Sequence, residues 1–235
     1  MSTIAQNLQV VTKTIAAAAA QAKRPADSVQ LLAVSKTFGP EAVLEAVLAG
    51  QRAFGENYVQ EGVDKIAAVA QARGCTPLEW HFIGPVQSNK TRPIAENFDW
   101  VHTIEREKIA VRLSEQRPPA LHPMQVCLQV NTSGEASKSG VAPQDVAALA
   151  RAVAGLPRLT LRGLMAIPEP EEEFEKQRAA FRVLRELYDA LRADGLQLDT
   201  LSMGMSADMQ AAIMEGATIV RVGSAIFGAR QYNKG

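Results

Sequence analysis

The sequence predicts an α/β fold: a single (β/α)8 TIM barrel over residues 1–235, with an extra helix at its N-terminus. Three observations lead there. Eight short apolar runs alternate with stretches of helical periodicity, and strict strand–helix alternation implies a parallel sheet. No linker, low-complexity tract or compositional break divides the 235 residues. That length is close to the roughly 250 residues of single barrels of this kind. An open doubly wound sheet is the alternative that periodicity leaves.

Ile4, Leu8, Val11 and Ile15 recur at helical spacing, so the chain opens on an amphipathic helix that Pro25 closes. LLAVSK, residues 31–36, is the first strand. Pro40 then occupies a first helical position, Val43, Leu44, Val47 and Leu48 form the apolar face, and Gly50 is the stop. RAFGEN is the second strand. The helix that follows carries Val59, Val63, Ile66 and Ala70 in register. EWHFIG is the third strand, SNKTRPIAENF a broken helix, WVHTI the fourth strand and REKIAVRLSEQR a helix. In the second half, MQVCLQVN, LTLRGLMAI, TLSMG and TIVRVGSAIFG are strands. Between them lie helices opened by Pro143, spanning 171–193, and running from an N-cap at Ser206 to Gly216.

Composition excludes several functions. Hydrophobic residues are 47% and charged residues 21% of the chain, the balance of an ordinary globule with ample core. A formal net charge of +0 provides no basic face for nucleic acid. No basic amphipathic stretch suggests a membrane surface. Cys75 and Cys127 differ in setting and read as free thiols of a reducing compartment. The alanine run at 16–20 is too short for a signal core, so a cytoplasmic protein is expected. His81, His102 and His122 lack metal-ligand spacing, and neither GxxxxGK[ST] nor a GxGxxG after a strand is present. Trp80, Phe82 and Trp100 read as core, and the acidic run 169–175 as a solvated loop and helix start.

The residues hardest to explain as packing collect at the carboxyl ends of the strands, the reactive end of such a barrel. Lys36 closes strand one. Glu56 and Asn57 follow strand two, and His81 and Gly84 flank strand three. Asn131 follows strand five, and Met165 lies near the end of strand six. Ser202, Gly204 and Ser206 surround the end of strand seven, and Arg221, Gly223 and Ser224 lie at strand eight. A desolvated lysine supplies a neutral amine for condensation with an aldehyde, although a snorkelling lysine also closes a strand. Arg221, flanked by valines, requires an acceptor or a partner charge, such as an internal pair with Glu56. The serines and glycines after strands seven and eight suit a phosphate. An amine, an arginine and a phosphate cradle together fit a phosphorylated aldehyde.

AVSKT, FGENYVQE, WHFIGPVQSNK, GLMAI, LSMGMSADMQAAI and RVGSAIFG resemble the YggS/PROSC-type pyridoxal phosphate homeostasis family. The resemblance implies the alanine-racemase N-terminal barrel, fold type III among pyridoxal 5′-phosphate (PLP) proteins. It implies that Lys36 joins the cofactor as a Schiff base and that Arg221 faces its ring nitrogen. By the same resemblance Ser206, Gly223 and Ser224 would hold the phosphate, with Ser202 and Met203 nearby. It also implies that Asn57 would lie beside the cofactor, with His81 and Met165 as further candidates. Pro85-Val86 departs from the histidine–leucine pair of several members. A cation at the ring nitrogen disfavours carbanion chemistry, and the chain ends soon after strand eight. None of Tyr58, Tyr188 and Tyr232 is placed as the base that related racemases present. The expectation is therefore a monomeric, non-catalytic carrier that buffers PLP and releases it by transimination to apo-PLP enzymes, with no nucleic-acid or membrane partner. A PLP-dependent racemase or lyase is the alternative.

Overall fold

The N-terminal helix α1 (Thr3–Gln21) buries Ile4, Leu8, Val11 and Ile15, the stripe its spacing predicts. Ser2 caps it by accepting from the Ala5 amide at 3.3 Å. This computed structural model describes residues 2–73, 77–133 and 139–229, so Cys75 and Tyr232 lie outside the described residues. Eight parallel strands follow: β1 (Gln30–Val34), β2 (Ala53–Glu56), β3 (Glu79–Phe82), β4 (Trp100–Ile104), β5 (Met124–Gln129), β6 (Leu159–Met165), β7 (Thr200–Ser202) and β8 (Ile219–Val222). They form a closed barrel in sequence order, with β8 pairing back onto β1 from Gln30↔Ile219 to Ala33↔Val222. The open-sheet alternative is thereby excluded. The intervening helices are α2 (Pro40–Leu48), α3 (Val59–Arg73), α4 (Thr91–Asn97), α5 (Glu107–Gln116), α6 (Val146–Ala154), α7 (Phe174–Ala193) and α8 (Met209–Met214). No helix among the described residues is long and apolar enough to cross a membrane.

The period-two alternation of each strand sorts its residues into two cores. Outward residues such as Ala33, Phe54, Phe82, Val101, Leu128 and Leu164 pack beneath the helices in the main cluster. Phe54, Phe82, Phe98 and Phe181 are wholly buried there, each stabilising the fold by roughly 1.5–3 kcal/mol relative to exposure. Inward residues form a smaller cluster that includes Leu32, Val34, Ile83, Trp100, Cys127 and Met165. Layers of branched aliphatic residues usually fill such a lumen. Here His81, His102, Ser202 and Arg221 share it, all of them buried.

Four sequence expectations need correction. TIVRVGSAIFG is not one strand: β8 stops at Val222, and α9 (Ser224–Phe227) follows. The β1 ladder runs out at Ala33↔Val222, and the Ile226 and Phe227 amides turn back to the Gly223 carbonyl. Ser206 is not the cap of α8; Asp208 occupies that position, and its Oδ1 accepts from the Met205 amide at 2.6 Å. On α2, Val43 and Val47 are buried but Leu48 is 83% exposed. On α3, Ala70 is exposed, and the buried stripe runs through Gly62, Lys65 and Val69.

Candidate functional site

β1 ends at Val34, and its ladder carries one bond further, from the Ser35 amide to the Gly55 carbonyl at 3.0 Å. Lys36 therefore sits in the turn that follows, half-buried. The turn reverses at Thr37, whose φ of +68° is uncommon for a residue with a branched side chain. Three buried or half-buried groups hold it. The Thr37 amide donates to Glu61 Oε1 at 2.6 Å, Lys65 Nζ donates to the Ser35 carbonyl at 2.7 Å, and Ser35 Oγ donates to Glu56 Oε1 at 2.6 Å. Lys65 Nζ also pairs with Glu56 at 2.6 Å and Glu61 at 2.9 Å. Burial raises the Glu56 acid above its ordinary value, while Lys65 and Ser35 pull it back. Phe38 packs its ring 5.2 Å from Phe227, tying the turn to α9.

At the carboxyl ends of the strands lies a cavity of about 330 Å³, within the usual range for small-molecule sites. Lys36, Asn57, Ser206, Arg221, Gly223 and Ser224 all line it, and Ile83, Ile167 and Met205 supply apolar wall. Asn57 follows β2 directly, and its Oδ1 is buried without a hydrogen-bond partner. Gly84 makes that placement possible, since a Cβ there would collide with the Asn57 carbonyl. Gly204 turns the chain out of β7 at φ +94°. Its carbonyl accepts from the Arg221 amide at 3.0 Å. Gly223 approaches closely too, because a Cβ there would lie 3.3 Å from the Val34 carbonyl.

Arg221 is not paired with Glu56. Its Nη1 donates to the Ser202 carbonyl at 3.0 Å and to Ser202 Oγ at 2.9 Å, and its Nη2 donates to the Ala166 carbonyl at 2.9 Å. Burial pulls the guanidinium down to about 10, still a cation at neutral pH. Three bonds leave two of its five N–H donors beside a cavity that the residue itself lines.

Four of the ten residues that the resemblance assigns to the cofactor do not line the cavity: His81, Met165, Ser202 and Met203 are each 0% exposed and lie behind its wall. Ser202 supports Arg221. His102 Nδ1 lies 2.7 Å from Ser202 Oγ, and His102 Nε2 lies 2.9 Å from His81 Nδ1. Met165 belongs to the lumen cluster and Met203 to the main core. Tyr58 and Tyr188 are absent from the cavity lining; Tyr188 donates to the Leu198 carbonyl at 2.9 Å. Cys127 is a free, buried thiol, and burial pushes it up to about 12. Sequence reading missed Lys65 and Glu61. Lys65 shares the Gly62–Val69 stripe of α3, and a lysine on an inward stripe is the signal that marks it.

Residues 6–231 match the family model described as alanine racemase, N-terminal domain, which is the class of barrel that this topology and mouth define. Among named relatives, the pyridoxal phosphate homeostasis protein of Vibrio cholerae serotype O1 is 61% identical over 234 residues, covering 100% of this chain and 99% of its own. That of Escherichia coli K12 is 55% identical over 234 residues, with 100% of each chain covered. The chain belongs to the pyridoxal phosphate homeostasis protein family. PipY of Synechococcus elongatus PCC7942, solved with PLP bound, is 36% identical with a TM-score of 0.82, covering 96% of this chain and 100% of its own. Alanine racemase from Corynebacterium glutamicum, 19% identical with a TM-score of 0.69 over 95% of this chain and 59% of its own, shares the fold alone.

Proposed function

We propose that this barrel is a cytoplasmic PLP carrier and buffer, acting in PLP homeostasis and not in catalysis. Its unit is the whole chain read as one PLP-binding domain. The family supports the cofactor, and the residues present fit it. The observation that carries the reading is that Lys36, Asn57, Ser206, Arg221, Gly223 and Ser224, drawn from the exits of four strands, β1, β2, β7 and β8, line one cavity.

Each of these residues has a distinct task. When bound, PLP would supply an aldehyde able to condense reversibly with the Lys36 amine, with loss of water, and to exchange onto a competing amine. The brace on Ser35 and Thr37 fixes the turn that carries Lys36 at the cavity wall. Ser206 and Ser224 offer hydroxyls, and Gly223 offers close backbone approach, to the phosphate. The cation of Arg221, with donors left over, would hold the ring's acceptor nitrogen. A donor there keeps that nitrogen unprotonated, which weakens the group as an electron sink and favours holding over turnover. The unpartnered Asn57 Oδ1 is an acceptor awaiting a donor on the ligand. Apo-PLP enzymes are the acceptors, and the protein acts as a monomer.

The test is direct. Protein incubated with PLP is expected to absorb in the visible range, and borohydride reduction followed by peptide mass analysis is expected to place the modification on Lys36. Modification at another lysine, or no saturable uptake of PLP, overturns the reading. Exchange of an amino acid's α-hydrogen with solvent deuterium, catalysed by the loaded protein, would restore the enzyme alternative.

A further inference from the structure

We propose that His102 and His81 are positioning residues for Arg221, joined to it through Ser202 in a hydrogen-bond chain of one fixed direction that holds both imidazoles neutral with the proton on Nε2. The chain crosses the barrel lumen, from Arg221 on β8 and Ser202 on β7 to His102 on β4 and His81 on β3. All four residues are buried.

The direction follows from the donor inventory. A guanidinium only donates, so Ser202 Oγ accepts from Arg221 at 2.9 Å. The other partner of that hydroxyl is His102 Nδ1 at 2.7 Å. The buried hydroxyl proton must find an acceptor, so Nδ1 is bare and Ser202 donates to it. A neutral His102 then carries its proton on Nε2 and donates to His81 Nδ1 at 2.9 Å. His81 in turn carries its proton on Nε2. That nitrogen is buried without a hydrogen-bond partner, and it lies 3.6 Å from Glu79 Oε2. The gap is too long for a hydrogen bond, but the carboxylate lies at the donor end of the chain and favours this polarity.

The reverse direction fails at the first link. With a proton on His102 Nδ1, Ser202 Oγ would accept from both neighbours and its own buried proton would be left without an acceptor. Neighbouring charges act the same way. Arg221 opposes a charge on His102, and burial lowers both imidazoles, while Glu79 and Asp99 are the acids that face His81. Asp208 and Cys127 are the titratable groups toward Arg221. Trp100 stacks on His81 at a 5.2 Å centroid distance, fixing its ring plane. The arginine is thereby held by a neutral chain that cannot rotate one member without breaking the next. Its aim at the cofactor, and only that part of the inference, rests on the proposed function.

Nitrogen-15 NMR of histidine-labelled protein without PLP tests the chain. Both buried imidazoles are expected as neutral Nε2–H tautomers that stay neutral through the ordinary imidazole value of about 6.5. A protonated Nδ1 on His102 in the wild-type spectrum overturns the inference, whatever the variants do. Ser202→Ala is expected to release His102 into a mixture of tautomers and to weaken PLP binding roughly tenfold, through loss of one acceptor for Arg221. An unchanged His102 tautomer in that variant also overturns it. His102→Gln, which keeps an acceptor and a donor, is expected to bind PLP within about threefold of wild type, and His102→Phe roughly tenfold more weakly. Equal loss in both overturns the positioning role. Failure of PLP to bind wild-type protein would strike the proposed function and leave the tautomer result standing.

Discussion

Two cations are buried on opposite faces of the barrel wall, one beneath a helix and one in the lumen, and they are satisfied in opposite ways. Lys65, 4% exposed behind β1 and β2, has Glu56 at 2.6 Å and Glu61 at 2.9 Å. Arg221, also 4% exposed, has two carbonyls and a serine hydroxyl, and forms no ion pair among the described residues. A lysine that only braces a turn is charge-matched, and its field ends inside the protein. An arginine held by neutral acceptors keeps its positive potential, which low surrounding dielectric sustains, directed at the cavity it lines. The contrast separates a cation used for structure from one available to a ligand.

The largest effect is expected at the matched pair. Lys65→Met leaves Glu56 buried without its cation, and chemical denaturation is expected to show a loss of about 3–5 kcal/mol. Glu56→Gln in the same background should restore part of it; no recovery would mean that packing, and not charge, holds the turn. Arg221→Met strips donors from the Ser202 and Ala166 carbonyls, costing about 1–3 kcal/mol of stability. The same variant is expected to lose more than tenfold in PLP affinity by absorbance titration, roughly 1.4 kcal/mol or more. Comparable affinity would show that the unmatched cation does not serve the ligand.

Acidity separates the two regions by sign. Burial puts His81 and His102 below their ordinary value of 6.5, so below that pH the unfolded chain binds more protons than the folded one. Their contribution is complete above about pH 6.5 and falls as pH drops toward the folded values, with a slope approaching 1.4 kcal/mol per pH unit for each histidine. Glu56, raised above 4.5, acts in reverse: its contribution declines as pH climbs from 4.5 through the folded value. Denaturation midpoints measured from about pH 5 to 7 should therefore rise with pH, and His102→Gln should flatten the rise. A flat wild-type profile would contradict the buried neutral histidines. The smallest effect belongs to the misread position on α2: Leu48→Lys is expected to change stability by less than about 0.5 kcal/mol.

The sequence made the barrel legible because alternation is a local signal. Strand period alone puts Ile219 and Arg221 on one face, and Ile219 does belong to the lumen cluster. The mouth was readable because strand ends are, and Lys36, Asn57, Ser206, Arg221, Gly223 and Ser224 do meet there. What escaped depends on register across the barrel. His102 meets a serine 100 positions away, and nothing in WVHTI announces that partner. Lys65 looked like one polar residue of an amphipathic helix, because its partner Glu56 belongs to the preceding strand. Ser206 resembled a cap because serine before a helix usually is one. Asp208, two residues later, closes that turn.

The ladder between strands is uneven. β5 and β6 are aligned from Met124↔Leu159 through Gln129↔Met165, whereas β7 and β8 share only Ser202↔Ile219. The staves of the barrel are thus joined most thinly at the seam beside the ligand mouth. The guanidinium of Arg221 crosses that seam and fastens the exits of β6 and β7 to β8 with side-chain bonds, where the short strand offers few of its own. The hoop that closes the barrel is also part of the lining of its mouth, so whatever loosens that one residue loosens both.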